Sequence, residues 1–145
     1  MIAVQTTMII QVREEFKTIT SPENVNRLLK SLLQAEDIED REKEHFWVLM
    51  LDSRNRIKTL DLVSLGTIEN ALVHPREVFR RAIATGCSAI VIAHNHPSGM
   101  TEPSAEDIST TTRLVQAGEI LGIEVIDHLI TNGEAYYSFK EAMIL

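Results

Sequence analysis

The run Ser88-Ala89-Ile90-Val91-Ile92-Ala93 has no polar position after its first residue and is rich in β-branched side chains. Its length suits a strand, and a strand without a polar face has to be covered on both sides. That requirement places a sheet at the centre of the fold with helices against it. The flanking patterns supply those helices. Ser21-Pro22 offers an N-cap followed by proline at the first helical position, and Val25, Leu28, Leu29, Leu32 and Leu33 recur at helical spacing, which predicts an amphipathic helix over 22–35. Pro75 opens a shorter helix with the stripe Val78, Phe79, Ala82 and Ile83, closed by Gly86, and His74 is placed to cap it. A third helix is expected from about 104 to 121, ended by Gly122.

Further strands are expected over 8–16, 45–52, 57–65 and 123–131. Ser53-Arg54-Asn55-Arg56 reads as a hairpin turn, Leu60 and Leu62 share one face of the second arm, and Gly66 breaks it, after which 68–73 resumes a strand. Asn132-Gly133 is a turn into Ala135-Tyr136-Tyr137-Ser138-Phe139, and a short C-terminal helix closes the chain. Hairpins at both ends and a strand–helix–strand passage between them predict an α/β or α+β domain with one mixed sheet flanked by helices. With 145 residues and no visible boundary or repeat, a single domain is expected.

Charge and cysteine content exclude several functions. The formal net charge is −7, whereas proteins that bind nucleic acid present a basic footprint, so direct nucleic-acid binding is not expected. Arg54, Arg56 and Lys58, and Arg76, Arg80 and Arg81, read as solvated faces, and the acidic tract from Glu36 to Glu44 as an exposed connection. No apolar run reaches the ~18 residues of a membrane span. The start, MIAVQTTMIIQVREEF, lacks the pattern of a secretory signal, so a cytoplasmic protein is expected. The single cysteine, Cys87, allows no internal disulfide and reads as a small buried hydrophobe.

Chemistry concentrates after the apolar strand, in His94-Asn95-His96-Pro97-Ser98-Gly99-Met100-Thr101-Glu102-Pro103-Ser104-Ala105-Glu106-Asp107. Residues two apart in extended chain face the same side, so the imidazoles of His94 and His96 converge. Asp107 lies in the first turn of the next helix, where the loop can return it to them. Two imidazoles and a carboxylate suit Zn²⁺ and leave a position for water. Each fragment also has a plain reading. His-x-His recurs by chance, Pro97-Ser98-Gly99 is an ordinary turn, and Ser104 with Asp107 forms the pattern of a helix capping box.

Taken together, His-x-His-Pro, six residues and Ser-x-x-Asp match the JAMM signature, and the chain resembles the JAB/MPN metalloprotease-like domains. HNHPSG followed by EPSAED, with VHPREVFRRAI before and LGIEVIDHLIT after, is most similar to the RadC branch of that family, across roughly residues 20–145. The resemblance implies a cytidine-deaminase-like architecture and a zinc ion on His94, His96 and Asp107, with water as the fourth ligand. It also implies that a glutamate before an upstream strand acts as general acid/base. Glu44 is the position that looks equivalent, with Glu42 as the alternative, and Ser104 would stabilise an oxyanion. The implied activity is hydrolysis of an amide or isopeptide bond in a peptide or protein substrate.

Asp127-His128 falls in a strand matching the RadC pattern and reads as structural support, with a contact to the back of the zinc site. His45 points away from Glu44, because neighbouring strand residues face opposite sides. Longer RadC relatives carry an N-terminal helix-hairpin-helix region for which this sequence leaves no room, so a stand-alone domain is expected. Two other functions remain open at this point, a scaffold that keeps the fold without turnover and a DNA-repair-associated factor. A zinc nucleobase deaminase is excluded, since the chain has no His-x-Glu and only one cysteine. Oligomeric state is left open.

Overall fold

The structure, a computed structural model, describes residues 8–66 and 73–145. Its six-stranded sheet has the order β1-β3-β2-β4-β5-β6. The strands are β1 (Met8–Ile10), β2 (Glu44–Leu51), β3 (Ile57–Gly66), β4 (Ala89–Asn95), β5 (Glu124–Thr131) and β6 (Tyr136–Ser138). All neighbours are antiparallel except β4 and β5, which run parallel and are joined by the longest helix. The helices are α1 (Pro22–Ala35), α2 (Ile38–Arg41), α3 (Pro75–Thr85) and α4 (Ala105–Leu121).

The apolar strand is buried at every position, and its side chains divide between two cores. Val91 and Ala93 pack with Trp47, Leu49, Leu51 and Leu60 against Leu28, Leu29 and Leu33 of α1. Ile90 and Ile92 pack with Phe46, Val48 and Met50 against Val78, Phe79 and Ala82 of α3 and Leu114 of α4. The alternation puts even-numbered residues of β4 on the α3/α4 side, and His94 continues that row. Cys87 is buried in the second core, where burial pushes its thiol up from the ordinary range.

The local signals that start and stop the helices act as read from the sequence. Ser21 accepts from the Asn24 N–H at the head of α1, His74 Nδ1 accepts from the Arg76 N–H at the head of α3, and Gly86 (φ 66°) closes α3. Four expectations are revised or fall away. Only Met8–Ile10 of the span 8–16 pairs, with β3; Glu14–Phe16 then forms a single 3₁₀ turn in which Glu14 meets Lys17 and Arg56. The acidic tract contains a helical turn, α2, held where the Arg41 guanidinium donates to the carbonyls of Leu33, Gln34 and Glu36. In place of a C-terminal helix, the chain turns after β6, because buried Asp127 accepts from Ser138 Oγ (2.6 Å) and the Lys140 N–H (3.0 Å) and fixes the bend. Burial pushes the Asp127 carboxyl up, while these donors and the His128 N–H pull against that rise. The continuation expected at 68–73 falls on residues outside those described, apart from Val73.

Helix α4 returns to β5 through Gly118 and Gly122. Gly122 (φ 73°) ends the helix in the left-handed conformation, and the Ile123 N–H donates to the Gly118 carbonyl. A Cβ on Gly118 would lie 2.3 Å from the Ile123 carbonyl oxygen. Alanine ordinarily strengthens a helix by ~1 kcal/mol over glycine. Here the sign should reverse, and Gly118→Ala should cost about 1–3 kcal/mol in a chemical denaturation titration; a gain in stability would contradict this packing.

Candidate metal centre

The segment after the buried strand does what the pleat of a strand requires. His94 faces the α3/α4 side, Asn95 the α1 side, and His96 the first side again. His94 Nε2 and His96 Nε2 lie 2.9 Å apart. Asp107, at the third position of α4, places Oδ1 3.4 Å from His94 Nε2 and Oδ2 3.3 Å from His96 Nε2. One ligand-capable atom from each of the three lies within 4.8 Å of the others. The capping box is real as well: the Asp107 N–H donates to Ser104 Oγ (3.0 Å) and the Ser104 N–H donates to Asp107 Oδ2 (2.9 Å). Cap and ligand set are therefore the same residues. Their two readings are not alternatives, because capping is what holds the Asp107 carboxylate over the histidines.

The atoms at this focus fit a cation. His96 Nδ1 lies 2.9 Å from the Met100 carbonyl oxygen, which can only accept, so Nδ1 carries the hydrogen and Nε2 of the neutral ring presents a lone pair. The carboxylate oxygens are acceptors too. Burial pushes the Asp107 carboxyl up, but once a proton lies on the facing ring nitrogens, hydrogen bonding from His94 and His96 outweighs burial and holds the group well below the usual carboxylate range. The same contact with Asp107 draws the His96 imidazole up from its ordinary value against the opposing effect of burial. Inward-facing lone pairs of this kind repel one another until a proton or a metal ion lies between them, and two imidazoles with a carboxylate make a zinc-type donor set.

Of the two glutamates, the fold brings Glu44 to the site. Glu44 begins β2, two residues from Phe46, which is paired with His94 across the β2–β4 ladder. It lines a cavity of about 420 Å³ together with His94, His96, Ser104 and Asp107. Glu42 lines a neighbouring depression with Arg41, Asn95, Asn132 and His96, and so meets the site only at His96. His45 points to the opposite face as expected. It is fully buried, stacked on Trp47 at 5.0 Å, and hydrogen-bonded through Nε2 to the Glu36 carboxylate.

Three contributors escaped the sequence reading. Asn95 Oδ1 accepts from the His45 N–H (2.5 Å), and its Nδ2 donates to the Lys43 carbonyl (3.1 Å), so the amide grips both sides of Glu44. Asn132 Nδ2 donates to the Gly99 carbonyl and ties down the loop between the histidines and α4. Thr111, one turn beyond Asp107, places Oγ1 2.5 Å from His128 Nδ1, and His128 Nε2 lies 2.7 Å from His94 Nδ1. The support expected from His128 is a direct contact. Burial, with His94 and His96 nearby, holds the His128 imidazole well below its ordinary value despite Asp107. Only the spacing of Thr111 from Asp107, on one helix face, could have signalled its part.

Four of the six residues in the two basic groups are engaged within the chain: Arg56 with Glu14, Arg80 with Glu77, Arg81 with Asp61, and Lys58 with the Thr85 carbonyl. Among the described residues no helix is long and apolar enough to cross a membrane.

Comparison with known proteins agrees with the family resemblance read from the sequence. Residues 19–144 match the RadC-like JAB domain. A UPF0758 protein of Clostridioides difficile is 52% identical over 103 residues, covering 71% of this chain and 44% of its own length. UPF0758 proteins of Rubrobacter xylanophilus and Caldanaerobacter subterraneus are 46% and 43% identical, over 85% and 92% of this chain. The chain spans about half the length of these curated relatives (52% and 55% for the last two). With a family match over nearly its whole length and the mixed sheet expected of that fold, the chain belongs to the RadC-like JAB domain family.

Proposed function

We propose that this chain is a zinc-dependent hydrolase that cleaves an amide or isopeptide bond in a peptide or protein substrate. The observation that carries the reading is the convergence of acceptor atoms from His94, His96 and Asp107 in a cavity that also admits Glu44 and Ser104. Those three side chains would hold the ion. When bound, zinc lowers the pKa of water towards ~7 and polarises a carbonyl.

The protein's own groups do the rest. Glu44 takes the proton of the attacking water and passes it to the leaving amine. Ser104 Oγ already accepts from the Asp107 N–H, so its hydroxyl hydrogen remains available to the oxygen of the tetrahedral intermediate. Asp107 keeps its place through the Ser104 N–H while its carboxylate faces the histidines. Arg113, on α4, is the arginine of the cavity wall, which otherwise carries the two imidazoles, hydroxyl and carboxylate groups, and one apolar residue, Val73.

The test begins with metal analysis of the protein purified without chelator, followed by digestion of a peptide library read by mass spectrometry. One zinc per chain and cleavage that disappears on chelation and returns with added zinc are the expected results. A protein that takes up no zinc on equilibrium dialysis overturns the reading.

A further inference from the structure

Behind the ligand face of His94 lie two residues that the hydrolytic scheme does not use. We propose that Thr111 and His128 form a positioning relay that holds His94 in the one tautomer able to bind a metal ion through Nε2; this rests on the zinc-centre reading above.

The supply of protons decides which way each hydrogen bond runs. Thr111 Oγ1 lies 2.7 Å from the Asp107 carbonyl oxygen and 2.5 Å from His128 Nδ1. The carbonyl can only accept, so the single hydroxyl hydrogen of Thr111 is committed to it. Oγ1 then offers His128 a lone pair, and His128 Nδ1 must be the donor. His128 is completely buried, with Phe139 stacked on its ring at 4.6 Å and Phe46 edge-on at 6.1 Å. In those surroundings it is the uncharged imidazole with a single N–H, so its Nε2 is an acceptor. The partner at 2.7 Å, His94 Nδ1, therefore donates. A neutral His94 with hydrogen on Nδ1 has its lone pair on Nε2, the atom that faces His96 Nε2 and Asp107 Oδ1.

The reverse arrangement fails at the threonine, and it would leave His94 unable to bind a metal ion. If Thr111 gave its hydrogen to His128, two oxygens would face each other at 2.7 Å with no hydrogen between them. His128 would then donate to His94, whose own hydrogen would sit on Nε2 and block coordination. The relay also closes on itself: it starts at the backbone of Asp107 and ends at the nitrogen that Asp107's carboxylate approaches. Helix α4 thus supplies one ligand directly and sets the hydrogen of another. Metal-bound histidines generally have the outer ring nitrogen oriented by a hydrogen-bond acceptor, and losing that acceptor typically weakens metal affinity ~10–100-fold.

The experiment uses the full chain labelled with ¹⁵N, with ring nitrogens assigned by long-range ¹H–¹⁵N correlation before and after zinc is added. In the metal-free protein both His94 and His128 should carry hydrogen on Nδ1. Thr111→Val removes the acceptor at the head of the relay. It should move hydrogen onto His94 Nε2 and weaken zinc affinity, measured by chelator competition, ~10–100-fold, and Thr111→Ser should restore both. Hydrogen on His94 Nε2 in the unmodified protein overturns the relay, and this readout stands even if Thr111→Val does not fold. So does a Thr111→Val protein that is less stable yet keeps the parent's ring shifts and zinc affinity. A protein with the expected tautomers that takes up no zinc refutes the zinc reading and leaves the relay intact.

Discussion

Glu44→Gln should take up zinc as the parent does and hydrolyse the same peptides ~10²–10⁴-fold more slowly, the usual worth of a positioned proton-transfer group. Glutamine keeps the size and hydrogen-bonding length of the side chain but cannot accept the proton of water. The strand that carries it is anchored from the far face by Asn95, so the substitution should leave the ligand geometry alone. Metal content measured beside turnover separates the two effects. Parent-like turnover at full zinc occupancy would remove Glu44 from the chemistry and shift the role to Glu42, whose depression shares His96 with the site.

Asp107→Ala should abolish zinc retention, as should His94→Ala, because each leaves only two of the three ligand groups. The Asp107 variant has a second signature. It loses the Ser104 N–H partner and half of a capping box, worth about 1 kcal/mol, so the metal-free protein should melt only a few degrees lower. The stabilisation conferred by zinc should vanish altogether; for the parent it amounts to ~2.7 kcal/mol when free zinc is a hundredfold above the dissociation constant. Thermal melts with and without zinc read both quantities in one series. Full zinc occupancy in Asp107→Ala or His94→Ala would defeat the ligand assignment.

What was legible in the sequence follows the range of the interactions responsible. The buried strand 88–93, the helix over 22–35 and the caps at Ser21, His74 and Ser104 are local: each depends on residues within a turn or along one strand. The same holds for His94, His96 and Asp107, whose meeting needs only a pleat, a loop and a helix start. The misread elements are governed from a distance. Glu14–Phe16 leaves the sheet to meet Arg56, α2 is held by a guanidinium reaching back to the end of α1, and the C-terminal bend is fixed by Asp127 on β5. Thr111 and Asn95 went unnoticed for the same reason, since their partners lie 17 and 50 residues away.

Asn95 has one more consequence. Its amide holds the Lys43 carbonyl and the His45 N–H, the peptide groups on either side of Glu44, while its covalent neighbours are the two histidines. Glu44 and the imidazoles thus share a single mechanical mount. A tilt or slide of that mount carries all of them together, and their mutual spacing survives movements that would otherwise open a gap. Misplacement of a reacting group by 1 Å can cost ~10²-fold in rate. A shared mount turns such a displacement of the site into a rigid shift of the whole constellation towards or away from the substrate.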